Sequence, residues 1–126
     1  MKGGCHCGAI VFKTNTEPYW IGACHCTDCR KISGAPYLVF AGFNEGKVEI
    51  LKGEPKQYSS SEKVNRSFCE NCASPFAYTY KDSPEKYFIP VGVFDDPSSF
   101  KLQEHIFIEQ KLPWISITDN LPHRRK

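Results

Sequence analysis

Seven cysteines fall into three short clusters, Cys5-His6-Cys7, Cys24-His25-Cys26-Thr27-Asp28-Cys29 and Cys69-Glu70-Asn71-Cys72. No cysteine lies outside them. The pairs Cys5/Cys7 and Cys69/Cys72 together offer four thiolates, enough to close a tetrahedral structural zinc site. The middle cluster offers three, Cys24, Cys26 and Cys29, and leaves one coordination position for water or substrate, the arrangement of a reactive zinc. The expected complement is therefore two Zn2+ per chain.

The spacing within each pair is what a shared metal needs. Two residues between Cys69 and Cys72 let the chain turn back so that both sulfurs reach one ion at ~2.3 Å. Cys5 and Cys7 lie far off in sequence, and closing so long a loop is entropically costly. In return the metal ties the first strand to the middle of the chain, and binding energy becomes folding energy. Buried cysteines without metal are common elsewhere, but tight pairs beside polar neighbours such as Glu70 and Asn71 argue against that here.

For the triad, a helical turn from Thr27 would put Cys26 and Cys29 on one face at i and i+3. Cys24 would reach back from the end of a preceding strand. Helix N-terminal amides, with Arg30 and Lys31 next door, would favour thiolates. Three readings stay open: a reactive zinc with an exchangeable ligand, a structural zinc completed by a histidine, and redox-sensing thiols. His25 is a poor ligand because adjacent strand residues point apart, which leaves His6, His105 and His123. A zinc held by three thiolates is a weak Lewis acid and suits a fourth sulfur, so the chemistry points to a small thiol. Glutathione is the usual cellular thiol, and its carboxylates need cations. Arg30 and Lys31 are the expected anchors, with Arg66 a further candidate. No G-x-S-x-G, Walker, Rossmann or H-E-x-x-H motif accompanies the cysteines.

The elements that must position these residues read as strands. Ala9–Phe12, Tyr37–Phe43, Val48–Leu51, Lys63–Phe68, Phe76–Tyr80, Tyr87–Phe94 and Phe100–Ile108 are short apolar or alternating runs bounded by Gly, Pro, Asn and Ser. They describe a mainly β chain. One or two short helical turns are the most it allows, one of them capped by Thr27 or Asp28 and ended by Ser33-Gly34. Pro84, Pro90, Pro97 and Pro113 exclude long helices from the second half. Ser59-Ser60-Ser61 reads as a polar loop.

A length of 126 residues fits a single domain, 1–126, with one core. A net charge of +2 argues against nucleic acid, and His123-Arg124-Arg125-Lys126 reads as a solvated terminus. No apolar run approaches the ~20 residues of a membrane span. The N-terminus does not read as a signal peptide. A cytoplasmic setting with reduced thiols is expected, and an odd cysteine count fits disulfides poorly.

Gly4-Cys5-His6-Cys7-Gly8-Ala9-Ile10, Cys24-His25-Cys26-Thr27-Asp28-Cys29-Arg30-Lys31 with Gly34-Ala35-Pro36, and Phe68-Cys69-Glu70-Asn71-Cys72 together resemble the glutathione-dependent formaldehyde-activating enzyme family, which includes centromere protein V. His105-Ile106, Leu112-Pro113-Trp114 and Asp119-x-Leu121-Pro122 look like the family's closing segment. The resemblance implies a β-tent of antiparallel sheets pinned by zinc. It implies that Cys5, Cys7, Cys69 and Cys72 hold the structural ion and Cys24, Cys26 and Cys29 the catalytic one. The implied activity joins a small aldehyde, formaldehyde, to glutathione as S-(hydroxymethyl)glutathione, a carbon–sulfur lyase reaction in reverse. One departure is Cys72-Ala73-Ser74, where the family usually has Cys-Gly-Ser; Ala at a turn wanting positive φ is strained. The competing class is a non-catalytic zinc module or glutathione carrier, for which Tyr19, Trp20, Phe40, Phe43 and Trp114 could supply a face.

Overall fold

A computed structural model describes residues 1–126. Its strands are β1 (Lys2–Gly4), β2 (Val11–Thr14), β3 (Trp20–Cys24), β4 (Leu38–Phe43), β5 (Val48–Lys52), β6 (Lys56–Ser59), β7 (Val64–Phe68), β8 (Pro75–Tyr80), β9 (Ser83–Pro90) and β10 (Glu104–Ile106). One α-helix, α1 (Thr27–Ser33), and two 3-10 turns (Val91–Val93 and Ile108–Gln110) complete the list. The mainly β expectation holds. No helix is long and apolar enough to cross a membrane.

The strands form two sheets, one ordered β1-β2-β5 and one ordered β10-β3-β4-β9-β8-β7-β6. Every pair is antiparallel except β10 with β3. Strand alternation gives the large sheet two faces. On one, Ile21, Ala41 and Ile89 stand in register and meet Phe12 of the small sheet in the core, with Phe43, Phe76 and Phe94. Phe12 takes edge-to-face contacts with Phe76 and Phe94 at 5.3 and 5.2 Å. On the other face the same strands carry Trp20, Cys24, Leu38, Phe40, Phe88 and Tyr78, and the functional groups gather there.

A bulge adjusts that division. Ser67 pairs with Ala77 and Phe68 with Pro75, which leaves Phe76 without a partner across the ladder. Phe76 and Ala77 both join the core, while Pro75 stays on the functional face beside Phe68.

Several boundaries differ from the sequence reading. The strand expected at Ala9–Phe12 begins at Val11, because the Cys5–Ile10 segment folds back on itself through Gly8 at φ 83. The strand expected to reach Phe94 stops at Pro90, which has no N–H to continue a ladder, and a 3-10 turn follows. Of Phe100–Ile108 only Glu104–Ile106 pairs. The helix cap is Cys26 rather than Thr27 or Asp28. Ser59 ends β6, and the serine run beside it holds a functional side chain, described below.

Candidate metal centres and thiol site

The four-cysteine cluster is built from two loops. Cys5 follows β1; its amide donates to Ile10 O at 3.1 Å and its Sγ accepts from Ile10 N at 3.2 Å. Cys69 follows β7, and a turn returns the chain to β8 through Ala73 N to Cys69 O at 2.7 Å and Cys69 N to Ser74 O at 2.9 Å. Ala73 has φ 67, so the turn does demand the left-handed conformation. Ser74 joins the two loops: its Oγ accepts from His6 N at 3.0 Å and sits 3.2 Å from Cys72 Sγ. Sequence reasoning missed that serine.

Spacing tests whether these sulfurs suit zinc. A tetrahedron with ~2.3 Å zinc–sulfur bonds has edges of about 3.8 Å. Cys5 and Cys7 sulfurs lie 3.6 Å apart, Cys7 and Cys69 sulfurs 3.7 Å, and all four within 4.8 Å of one another. The donor set fits. Its ionisation is partly prepared. The Ser74 hydroxyl and amide pull the Cys72 thiol down to about 5. Burial opposes ionisation of Cys5, but the Ile10 amide and the Cys7 and Cys69 thiols outweigh it and lower that thiol. At Cys69 the Cys72 amide favours the thiolate, yet desolvation and the neighbouring thiols push the group up to about 11.

The triad is local. Cys24 ends β3, Cys26 caps α1 and Cys29 lies in its first turn. The Cys26 Sγ accepts from Cys29 N at 3.2 Å, so one of the three sulfurs is also the helix cap. Gly34, at φ 70, closes the helix with its N–H on Arg30 O at 2.8 Å. The three sulfurs lie within 4.8 Å of one another and no histidine or carboxylate joins them. Three thiolates this close repel, and the ionisation divides accordingly. Hydrogen bonds from Cys24 and Cys29 hold Cys26 down to about 2. Hydrogen bonds to Cys26 and Cys29, then burial, raise Cys24. At Cys29 the hydrogen bond from Cys24 lowers the thiol, but the one to Cys26, burial and the Cys26 charge outweigh it and push it up to about 11. A metal cation removes this conflict, so the crowding itself suits one.

Two of the histidines that could have completed this site, His105 and His123, join a cluster with His25 instead. His25 is fully buried, lies 4.7 Å from the Tyr37 ring, and its Nε2 is 2.9 Å from His105 Nδ1. His105 Nε2 is 2.7 Å from Asp119 Oδ2, and the His123 ring packs edge-on against His105. Burial, then the nearby His105 and Lys111, hold the His25 pKa down to about 4, so its ring is neutral at physiological pH.

This chain of contacts frames the triad. Cys24 pairs in register with Ile106 of β10, His25 N donates to Ile106 O at 3.1 Å, and Thr27 N donates to Gln110 Oε1 at 2.9 Å. Residues on both sides of Cys26 are thus held by the segment from Glu104 to Gln110. Partners so placed orient metal ligands. Their signal in the sequence was confined to the His105-Ile106 and Asp119 motifs.

The triad opens on a cleft of about 600 Å³ whose walls include Trp20, Tyr78, Tyr80 and Phe88. A Cβ on Gly22 would collide with the Trp20 ring, so glycine lets the indole lie along β3 while its Nε1 donates to Glu104 Oε2 at 2.6 Å. Three cations, Arg66, Arg124 and Lys126, and one carboxylate, Asp28, line the cleft. Arg66 is fixed three ways. Its Nε donates to Ser60 Oγ at 3.1 Å, its Nη2 lies 3.8 Å from Cys29 Sγ, and its guanidinium stands 5.6 Å from the Tyr78 ring centre. Burial first, then Tyr80 and the cysteines, raise the Tyr78 phenol, which stays protonated. Arg124 pairs with Glu104 at 2.8 Å, so the basic C-terminal run is partly built into the site rather than free in solvent. Arg30 and Lys31 sit on α1 outside the cleft lining. The five aromatics considered as a docking face do not form one, because Phe40 and Phe43 are buried.

Comparison with known proteins agrees with this geometry. The chain is 28% identical over 110 residues to an uncharacterized lyase of Schizosaccharomyces pombe, covering 87% of this chain and 80% of that one. It is 25% identical over 126 residues to a Halomonas elongata protein provisionally named a glutathione-dependent formaldehyde-activating enzyme, covering 93% and 80%. A crystal structure of a Rhodobacter sphaeroides protein shares the fold, with a TM-score of 0.62 at 18% identity over 98% of this chain and 99% of that one. The family model for the glutathione-dependent formaldehyde-activating enzyme matches residues 1–110, a span that contains all the cysteines, and the chain belongs to that family.

Proposed function

We propose that this protein is a zinc-dependent carbon–sulfur lyase that makes or breaks the bond between glutathione, or a similar small thiol, and a small aldehyde. The observation that carries the reading is the triad: three sulfurs converge without a fourth protein donor and face a cleft lined by Arg66, Arg124 and Lys126. Family membership and the names of the relatives support the same chemistry.

Cys24, Cys26 and Cys29 would hold the reactive zinc, and Cys5, Cys7, Cys69 and Cys72 the structural one. Bound zinc supplies a position for a further sulfur and favours its ionised form near neutral pH. The chain's own residues do the rest. Arg124 and Lys126 receive the carboxylates of the thiol, taking the anchoring role expected of Arg30 and Lys31. Arg66, already beside Cys29, balances negative charge at the sulfurs. Tyr78, kept protonated, offers an O–H toward the aldehyde oxygen as it gains charge. Trp20 and Phe88 exclude water from one side of the cleft.

The test is the rate of S-(hydroxymethyl)glutathione formation, followed by NMR exchange against the uncatalysed reaction. The wild-type protein is expected to exceed the background, Cys26→Ser to abolish the excess, and Arg66→Met to reduce it about tenfold. A wild-type rate equal to background with formaldehyde and with every other small aldehyde offered would refute the proposal.

A further inference from the structure

A second cavity, of about 350 Å³, opens on the same sheet face as the triad. Its walls are Ile32, Leu38, Phe40, Phe68, Pro75 and Tyr78, among others, and its charged lining is Lys56 and Arg66 without any carboxylate. Four observations place it next to the sulfurs. Arg66 and Tyr78 line both this cavity and the thiol cleft. Leu38 stands directly across the ladder from Cys24, and such pairs have Cβ atoms ~5 Å apart. Ile32 follows Cys29 by one helical turn, again a separation of ~5–6 Å. Phe40, under the cavity, packs against Cys24 and Cys29.

Formaldehyde has no carbon beyond the reacting one and would leave this hollow to water, which finds few partners among apolar walls. The thiol has its own cationic cleft. Building on the lyase reading above, we infer that the aldehyde substrate carries an apolar alkyl or aryl substituent that lies in this cavity. The carbonyl carbon is then brought to the thiol sulfur at the triad. The sulfur forms the new bond to that carbon, the carbonyl π pair moves to oxygen, and the oxygen takes the proton given up by the thiol. The product is a thiohemiacetal, and the reverse reaction releases thiol and aldehyde; no oxidant or reductant is involved.

The experiment measures kcat/KM with glutathione and each of formaldehyde, propanal, hexanal and benzaldehyde, divided by the spontaneous rate constant for the same pair. Each methylene buried is worth on the order of fourfold in affinity. The normalised value is therefore expected to rise along the alkyl series and to be at least tenfold higher for hexanal than for formaldehyde. Ile32→Trp, at a half-exposed helix position on the rim, is expected to lower the hexanal value about tenfold more than the formaldehyde value. A wild-type series that is flat or favours formaldehyde would overturn the inference and leave the lyase reading standing. So would an Ile32→Trp effect equal on both aldehydes. No acceleration with any aldehyde would overturn both together.

Discussion

The two cysteine clusters differ less in their sulfurs than in what holds the sulfurs. The four-cysteine cluster is made of loops alone and brings the segment after β1 to the turn between β7 and β8, with Ser74 as the one polar link besides the thiols. The three-cysteine cluster is held by regular structure: the end of β3, the first turn of α1 and a flanking strand that grips the residues beside Cys26. A cluster that ties loops together would draw folding energy from a bound metal. A cluster already framed by hydrogen bonds can leave a position open and still keep its shape.

The sharpest way to break this contrast is to remove one ligand from each cluster. Cys69→Ser should cost most of the protein's stability, several kcal/mol, because metal binding there is folding energy. Cys26→Ser should keep the sheet signal in circular dichroism, lower the melting temperature by a few degrees and abolish turnover. Equal loss of structure in both variants would erase the distinction.

A smaller effect tests the frame. His105→Phe cuts the contact chain from Asp119 to His25 and leaves the buried His25 Nε2 without its partner, a cost of about 1–3 kcal/mol. His105→Gln can still donate to Asp119 and accept from His25. If the chain positions the triad, His105→Phe will alter the thiolate-to-metal absorption of the Co2+-substituted protein and lower kcat, and His105→Gln will restore both in large part. A merely structural role would lower the melting temperature and leave the absorption unchanged.

Acid should separate the clusters further. Metal binding requires deprotonated thiols. In the triad two thiols, Cys24 and Cys29, are raised and Cys26 is lowered; in the other cluster Cys69 is raised and two, Cys5 and Cys72, are lowered. A raised thiol takes its proton back at higher pH. As pH falls from 8 the triad should release zinc first, with its midpoint above that of the four-cysteine site, as read by a chromophoric chelator. The smallest effect lies in the turn at Ala73, whose φ of 67 strains a residue with a Cβ. Ala73→Gly should raise the urea midpoint by an amount equivalent to about 1 kcal/mol.

What the sequence disclosed follows from the range of each interaction. The triad, the two cysteine pairs and α1 were legible because their signals are local: three cysteines within six positions, pairs one or two residues apart, and a glycine that ends the helix. The strain at Ala73 was legible for the same reason. β6 was not, because Lys56–Ser59 is an edge strand exposed at every position and shows no apolar alternation. The role of Ser60 depends on Arg66 arriving across the β6–β7 hairpin, and the pairing of His25 with His105 joins positions 80 residues apart. Cys26 was missed as the helix cap because its sulfur was assigned to metal alone. Arg124 was set aside as tail, since nothing in its neighbours announces the β10 strand it lies against.

The central claim is that the triad, and not the four-cysteine site, keeps a position for a thiol. Titrating glutathione into the Co2+-loaded protein tests it most directly. The expected result is a saturable change in the thiolate-to-cobalt bands of one of the two ions, lost in Cys26→Ser. Spectra of both ions unchanged at millimolar glutathione would contradict it.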